Sequence, residues 1–489
     1  MSQSWAIHWF RRDLRIIGNK SLREVWKKTN GRVVGIFCFD SNFLARDDFS
    51  YNRFAFFLKT LKSLKEEFNS LGGDLIVVDR QPSVFFSFLV NSLKKTKKSL
   101  PSYVSWNRDY EPFACARDKK MEELISSFDI HVITARDHLV FEPHEIRKDD
   151  GSYYQVYSPF SRKWLELLNS QPGGDRVSNE LILNDNSANK KQLFNLKWKE
   201  ILPSGLEIRD DLEDFEKKNL KHVTISIPDA GSRVAWAALK QFSKKIEAYK
   251  DMRDFPYIEG TSRLSIYLKN GSLTCSQILT YLNLINLPLK NSEGPNQFLK
   301  EIIWREFYYH ILYHRPDVER TAFKMSYQNI KWENRSDYFE RWKEGTTGFP
   351  IVDAGMRELR DTGFMHNRVR MIVASFLVKD LLIDWRWGEK HFMKYLLDGD
   401  LAPNNGGWQW AASTGCDSQP YFRIFNPWLQ SKKFDPKGRY IKKYIPELRE
   451  ATPKEIHEPD ADRSRWKYPP PVVDHFRQKK KALELFKIS

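Results

Sequence analysis

Glu301, Trp304, Arg305 and Tyr308 fall at i, i+3, i+4 and i+7 in the stretch NQFLKEIIWREFYYHILYH, residues 296–314. On a helix, that spacing sets a carboxylate, an indole, a guanidinium and a phenol on one side. Leu299, Ile303, Phe307 and Ile311 form an apolar stripe on the other. The polar side suits a planar polar ligand, or it is a solvated face with a salt bridge. A tryptophan there favours a site, since large aromatics are seldom left exposed. In MRELRDTGFMHNRVRMIVASFLVKDLLID (356–384), Asn367, Arg370 and Met371 share a helical face while Arg368 points elsewhere. The run 373–382 is apolar enough to be buried, so a charged face beside it needs a partner. Asp398 and Asp400 of LLDGDLAPNNGG are the candidates, in a ligand site or in a purely structural ion pair.

Asn404-Asn405-Gly406-Gly407 lets amides and backbone approach a ligand closely, or it is simply a turn. An asparagine amide both donates and accepts, so it can serve a ring edge in more than one protonation state. EGTSRLS (259–265) offers hydroxyls and an arginine near a helix start, either a phosphate cradle or a plain N-cap. No Ser/His/Asp or HExxH pattern stands out, and no CxxC, so hydrolytic and zinc chemistry have no visible machinery. An aromatic-rich basic chain without acid–base apparatus points to a cofactor that carries the hard chemistry.

The elements that must position these residues divide the chain in two. Short apolar strands at 5–9, 33–39, 75–78, 103–106 and 131–134 alternate with helical stretches such as 52–68 and 82–95. That alternation predicts an α/β domain over 1–135, a Rossmann-like parallel sheet with right-handed crossovers. Ligands in such sheets sit beyond the carboxyl ends of the strands, here Cys38-Phe39-Asp40 and Asn107-Arg108-Asp109. Neither GxGxxG nor a Walker A loop occurs. Residues 136–220 are polar and poorly periodic, and QPGGD and NDNSANKKQ read as exposed turns, so this stretch is expected to be a long linker. From 221 to 489 helical periodicity dominates, which predicts an all-α domain. The Pro- and charge-rich last forty residues are expected along its surface.

Of 489 residues, 14% are aromatic, with 16 Trp, an unusually rich share; core packing accounts for most of them, and large aromatics also stack on planar ligands and bases. A formal net charge of +16 favours a nucleic-acid partner over an acidic membrane. The N-terminal arginines interrupt any signal peptide and no apolar run reaches membrane length, so an intracellular protein, nuclear or organellar if eukaryotic, is expected.

Taken together, HWFRRDLR (8–15), EGTSRLS, WREFYYH, HNRVRM, DLLIDWR and DGDLAPNNGGWQWAASTGCDSQPYFRIFNP occur in an order that resembles the photolyase/cryptochrome family nearly end to end. HNRVRM resembles the class I cyclobutane pyrimidine dimer photolyases. Relatives acting on (6-4) photoproducts carry paired histidines where His366-Asn367 stands. The resemblance implies FAD in the helical domain, with Tyr249 and Thr261, Ser262, Arg263, Leu264 and Ser265 holding phosphates and ribitol. Arg370, Asp398 and Asp400 would line the flavin, with Asn404 at its N5. Trp332, Trp385 and Trp408 would be the electron-transfer tryptophans. Glu301, Trp304, Asn367, Met371 and Trp410 would contact a pyrimidine dimer flipped out of UV-damaged DNA. Arg253, Arg305, Arg368 and Arg423 would meet phosphates around it. The implied activity is light-driven opening of the dimer by one electron from reduced flavin, carried out by a monomer. A cryptochrome-type photoreceptor that binds FAD without repair is the alternative. A flavin-binding nucleic-acid protein without photochemistry is the third reading.

For a second, light-harvesting chromophore, WNRDYEP resembles deazaflavin-binding members, and Phe113-Ala114 replaces the Asn-Glu pair of folate-binding ones. Cys38, Arg53, Asp109 and Lys269 match the positions that cradle the deazaflavin, so 8-hydroxydeazaflavin is favoured over methenyltetrahydrofolate. Two departures from the family pattern are Gly18-Asn19, where an Asp-Asn pair is usual, and Phe364, where several relatives carry Trp.

Overall fold

The computed structural model of the protein describes residues 4–39, 41–170, 193–285 and 293–487. Asp40 and the turns expected at QPGGD and NDNSANKKQ lie outside the described residues. Five strands, β1 (Ala6–Phe10), β2 (Val33–Phe39), β3 (Leu75–Asp79), β4 (Tyr103–Asn107) and β5 (His131–Ala135), pair in parallel in the order β3-β2-β1-β4-β5. β1 and β2 are buried along their whole length, as strands covered on both faces must be, and this is why they read as continuous apolar runs. The crossovers run through α1 (Lys20–Thr29), α2 (Tyr51–Ser70), α3 (Pro82–Lys95) and α4 (Pro112–Ser126). β3, β4 and β5 each extend one residue beyond the apolar run, because backbone pairing continues through Asp79, Asn107 and Ala135. Asn107 is buried there because its amide donates to Asp13 at 2.7 Å and to Asn19 at 2.8 Å.

The segment after β5 packs on both halves of the molecule. Helix α5 (Tyr157–Asn169) sends Phe160, Trp164 and Leu168 into the core of the helical part, while Phe194, Leu212 and Phe215 return to the sheet. Glu306, buried on the central helix α6 (Glu293–His314), accepts from the Val140 and Phe141 N–H groups and from Trp164 Nε1 at 2.7 Å, fixing this path. Burial raises the Glu306 carboxyl against those hydrogen bonds.

Past β5 the described residues contain no further strand, only an isolated bridge between Arg147 and Tyr153. Three helices frame the site together with α6: α7 (Asn367–Ser375), α8 (Trp385–Tyr395) and α9 (Leu401–Ala411). The run Asn404–Gly407 is helical within α9, where a turn was the competing expectation. The reason is packing. A Cβ on Gly406 would lie 2.0 Å from the Tyr308 ring, so this glycine lets α9 cross α6 closely. The last helix, α10 (His475–Lys487), does more than follow the surface. It buries His475, Gln478, Ala482 and Phe486, and His475 Nδ1 lies 2.5 Å from Asp380 in a single π-helical turn, Phe376–Asp380. No helix among the described residues is long and apolar enough to cross a membrane.

Candidate cofactor and substrate cavity

A cavity of about 850 Å³ opens between α6, α7, α9 and the loop leading into the short helix Ser265–Asn270. The polar side of α6 forms one wall: Glu301, Trp304, Arg305 and Tyr308 all line it, while Leu299, Ile303, Phe307 and Ile311 are buried behind. That side is therefore not a solvated face. Glu301 accepts from the Arg253 guanidinium and from Gln297 Nε2 at 2.9 Å. Trp304 lies flat on Tyr157, ring centroids 3.7 Å apart and planes 2° from parallel. Across the mouth stand Trp410 of α9 and, on α7, Asn367 and Met371, whose Nδ2 and Sδ are 4.0 Å apart. The structure thus gathers Glu301, Trp304, Asn367, Met371 and Trp410 at one opening.

Deeper in, Arg370 meets Asp398 through Nη2 at 3.1 and 3.0 Å and donates from Nε to the Met365 carbonyl at 2.7 Å. Phe364, at the position where relatives carry Trp, takes the Arg263 guanidinium at 4.5 Å and that of Arg370 at 5.6 Å. Thr261, Ser262, Arg263 and Leu264 line the cavity as a loop ahead of Ser265, which also lines it, and Arg263 holds a left-handed φ of 52°. A non-glycine residue there marks a constrained backbone. Tyr249 is packed between Phe242 and Phe298, and burial raises its phenol. Asn404 donates from Nδ2 to the Glu389 carbonyl at 3.1 Å. Next to it, a Cβ on Gly407 would meet nothing within 4 Å, so the cavity reaches the α9 backbone.

Asp400 lines the same cavity but does not pair with Arg370. It accepts from Tyr309 Oη at 2.6 Å, Arg12 Nη2 at 3.0 Å and Lys269 Nζ at 3.1 Å. Burial alone would raise this carboxyl; Lys269, Arg12 and Arg305 outweigh burial and hold it well below the usual range. Arg12 follows β1 and also pairs with Glu111 at 2.6 Å, so the α/β domain reaches directly into the cavity wall. The reach matches the sheet topology. β1 and β4 are neighbours at the point where the strand order reverses, the usual ligand crevice of such sheets.

Of the four residues matched to a second chromophore, Asp109 and Lys269 converge on this crevice. Arg12 Nη1 lies 3.6 Å from Asp109, and Lys269 lies 3.4 Å from Glu111. Arg53 is committed elsewhere: its guanidinium donates to the carbonyls of Met393 and Leu396, satisfying the C-terminal end of α8. Cys38 is buried at the end of β2, and burial pushes its thiol up.

Among the four arginines matched to DNA phosphates, Arg423 is exposed. Arg253 and Arg368 sit at the rim and share Asp254, which Arg368 meets at 2.9 Å. Arg305 lines the cavity beside them, and its guanidinium is largely buried. It donates to the His138 carbonyl at 3.2 Å, contacts the His138 ring and lies 3.9 Å from Asp400, because an unpaired guanidinium at this depth would be costly. Trp408 lines the cavity and packs on Gly388 of α8, where a Cβ would clash at 2.1 Å. Trp385 is buried in the same apolar cluster, and the half-buried Trp332 rests on Phe486 of α10 at 5.7 Å. The three indoles thus share one apolar cluster, with Trp408 and Trp385 buried and Trp332 half-buried.

Sequence reasoning missed Arg12, Tyr157, His138 and Tyr309, since their partners lie far off in the chain. A serine–histidine–aspartate line does exist. His8 lies 2.8 Å from Ser105 Oγ and 3.5 Å from Asp13, but all three are buried in the sheet and none lines the cavity. Among the described residues no group of three or more His, Cys, Asp or Glu is placed to hold a metal ion.

The cavity's chemistry fits a flavin dinucleotide: hydroxyls and a guanidinium at 261–265, an amide and an Arg–Asp pair deeper in, aromatic walls, and a glycine that keeps space open. Residues 298–488 match the model of the FAD binding domain of DNA photolyase, and residues 6–176 match that of DNA photolyase. The chain is 36% identical to a deoxyribodipyrimidine photo-lyase of Halobacterium salinarum, over 98% of both chains. It is 37% identical to one of Vibrio cholerae, again over 98% of both. A class III photolyase from Agrobacterium tumefaciens superposes with a TM-score of 0.82 at 31% identity, covering 100% of this chain and 98% of that one. A photolyase from Sulfolobus tokodaii, solved with two FAD molecules, gives 0.78 at 29% identity, covering 99% and 100%. With relatives this similar over nearly its whole length, and with both family models matched, the chain belongs to the DNA photolyase family.

Proposed function

We propose that this protein is a deoxyribodipyrimidine photo-lyase that binds FAD and uses light to split cyclobutane pyrimidine dimers in DNA. One observation carries the reading: the cavity holds an Arg370–Asp398 pair and the Asn404 amide inside, and a carboxylate, two indoles, an amide and a thioether at its mouth. In this reading Thr261 to Ser265 and Tyr249 hold the phosphates and ribitol, and Arg370, Asp398, Asp400 and Asn404 orient the ring by its polar edge. When bound and reduced, the flavin supplies under illumination the single electron that opens the cyclobutane ring. Glu301, fixed by Arg253 and Gln297, hydrogen-bonds the pyrimidine edge, and the planes of Trp304 and Trp410 exclude water from the extruded bases. Trp408, Trp385 and Trp332 carry electrons inward from the surface. The damaged strand docks along Arg253, Arg368 and Arg423, and one chain suffices, since the cavity is complete within it.

For the light-harvesting chromophore we favour 8-hydroxydeazaflavin in the crevice at Asp109 and Lys269. The Sulfolobus relative, with its two FAD molecules, makes a second flavin the alternative. The deciding experiment mixes reduced protein with irradiated oligothymidine under blue light and follows recovery of thymine absorbance. Light-dependent recovery is expected. Flavin bound and reduced without recovery would assign the chain to the photoreceptor branch.

A further inference from the structure

The stack of Trp304 on Tyr157 is unusual in kind. Aromatic pairs prefer offset or edge-to-face arrangements with centroids 4.5–7 Å apart. This pair is parallel within 2° at 3.7 Å, at a cavity wall. Tyr157 does not belong to the helices that build the cavity. It opens α5, in the segment that joins the two halves of the molecule. A hydrogen bond to Ser161 and the following contacts hold it in place. Its hydroxyl donates to the Lys300 carbonyl at 3.2 Å, its N–H donates to Asp417 Oδ2 at 3.0 Å, and its ring meets Phe307 edge-on at 5.9 Å. The Asp417 contact lets a carboxylate 260 residues away serve the unsatisfied start of α5. One face of the Trp304 indole is thereby taken, and the indole remains part of the cavity lining.

We propose that Tyr157 is a substrate-positioning residue: it fixes the plane of the Trp304 indole on which an extruded pyrimidine pair stacks. Through its N–H it also ties that plane to the Asp417 loop, which continues to the exposed Phe422 and Arg423. Without the tyrosine ring, the indole would have a free face and would swing from the wall. A damaged site would then lose its stacking surface, while undamaged DNA, held by phosphate contacts alone, would not sense the change. The inference rests on the reading that a dimer enters this cavity.

The test compares full-length wild type, Y157A and Y157F loaded with FAD. It measures the affinity for irradiated and non-irradiated oligothymidine by fluorescence anisotropy, flavin per chain by absorbance, and the repair rate at saturating DNA. Y157A is expected to bind irradiated DNA about five- to tenfold more weakly, the scale of one lost aromatic contact. Its affinity for non-irradiated DNA and its flavin content stay at wild-type values. Y157F, which keeps the ring and loses the hydroxyl's bonds to the Lys300 carbonyl and to Ser161, returns to within about twofold. The proposal is overturned if Y157A discriminates damage as wild type does, if Y157F is as weak as Y157A, or if Y157A loses flavin and weakens on both DNAs alike. If wild type itself shows no preference for irradiated DNA, the dimer-binding reading fails first and takes this one with it.

Discussion

Glu301 is the residue on which substrate chemistry turns. Its carboxylate is held at the cavity mouth by a guanidinium and an amide rather than by solvent, so its orientation is set before any ligand arrives. Hydrogen bonds to charged groups are worth about 1.5–3 kcal/mol, so E301A should weaken binding of irradiated DNA roughly tenfold and lower the repair yield while FAD stays bound. Titrating both DNAs while monitoring flavin absorbance checks this, and an unchanged yield removes Glu301 from the mechanism. Glu389 makes a different residue-scale prediction. Burial pushes its carboxyl up to about 7, opposed by the hydrogen bond from Asn405 and by Arg386, and aided by Glu319 and Asp48. In the unfolded chain it should titrate near its ordinary 4.5. Between these values the folded state keeps a proton that the unfolded state has lost, so this group's contribution to stability falls as pH rises from 4.5 to 7 and is flat above. E389Q has nothing to lose there. Its melting temperature relative to wild type should climb across that window and then level off, and parallel curves would refute the assignment.

At the scale of elements, α6 crosses α9 at Gly406, while the neighbouring Gly407 faces the cavity. A Cβ at Gly406 would press into Tyr308, whereas one at Gly407 would enter open space. G406A should therefore cost about 1–3 kcal/mol of stability and loosen flavin retention, as overpacking does. G407A should leave stability unchanged or slightly improved, since alanine is the better helix former. Thermal melts with flavin release on both variants decide it, and equal behaviour would contradict the crossing geometry. These glycines also mark where the sequence stops being readable. The strands and the two sides of α6 were legible because burial leaves a periodic trace in neighbouring residues. Asn404–Gly407 was equally compatible with a turn, because the ring that demands a glycine sits a hundred residues earlier in the chain. Asp400 was read as a candidate partner for the charged face around Asn367–Met371, but it pairs with Lys269 and with Arg12, 388 positions away, and no local pattern encodes that. Arg305 was assigned to a phosphate by resemblance to the family; its contact with His138 became visible only once α6 was packed.

For the whole molecule, a net charge of +16 gives attraction to any polyanion, so affinity for DNA alone says little about damage recognition. The two contributions separate by their response to salt. Each phosphate neutralised by a cation adds about 0.9 to the slope of log affinity against log salt on duplex DNA, whatever the sequence or damage. Arg423 is exposed with a cavity mouth nearby in the chain at Trp410, whereas Arg253 and Arg368 are already partly neutralised by Asp254 and Glu301. R423A should therefore lower the slope by about 1 on damaged and undamaged duplexes alike and leave their affinity ratio intact. Binding isotherms from about 50 to 200 mM salt, the range over which such contacts respond strongly, measure both quantities on the same samples. If R423A changed the ratio, phosphate docking and dimer recognition would not be carried by separate parts of the surface, and the basic rim would have to be redrawn around the cavity itself.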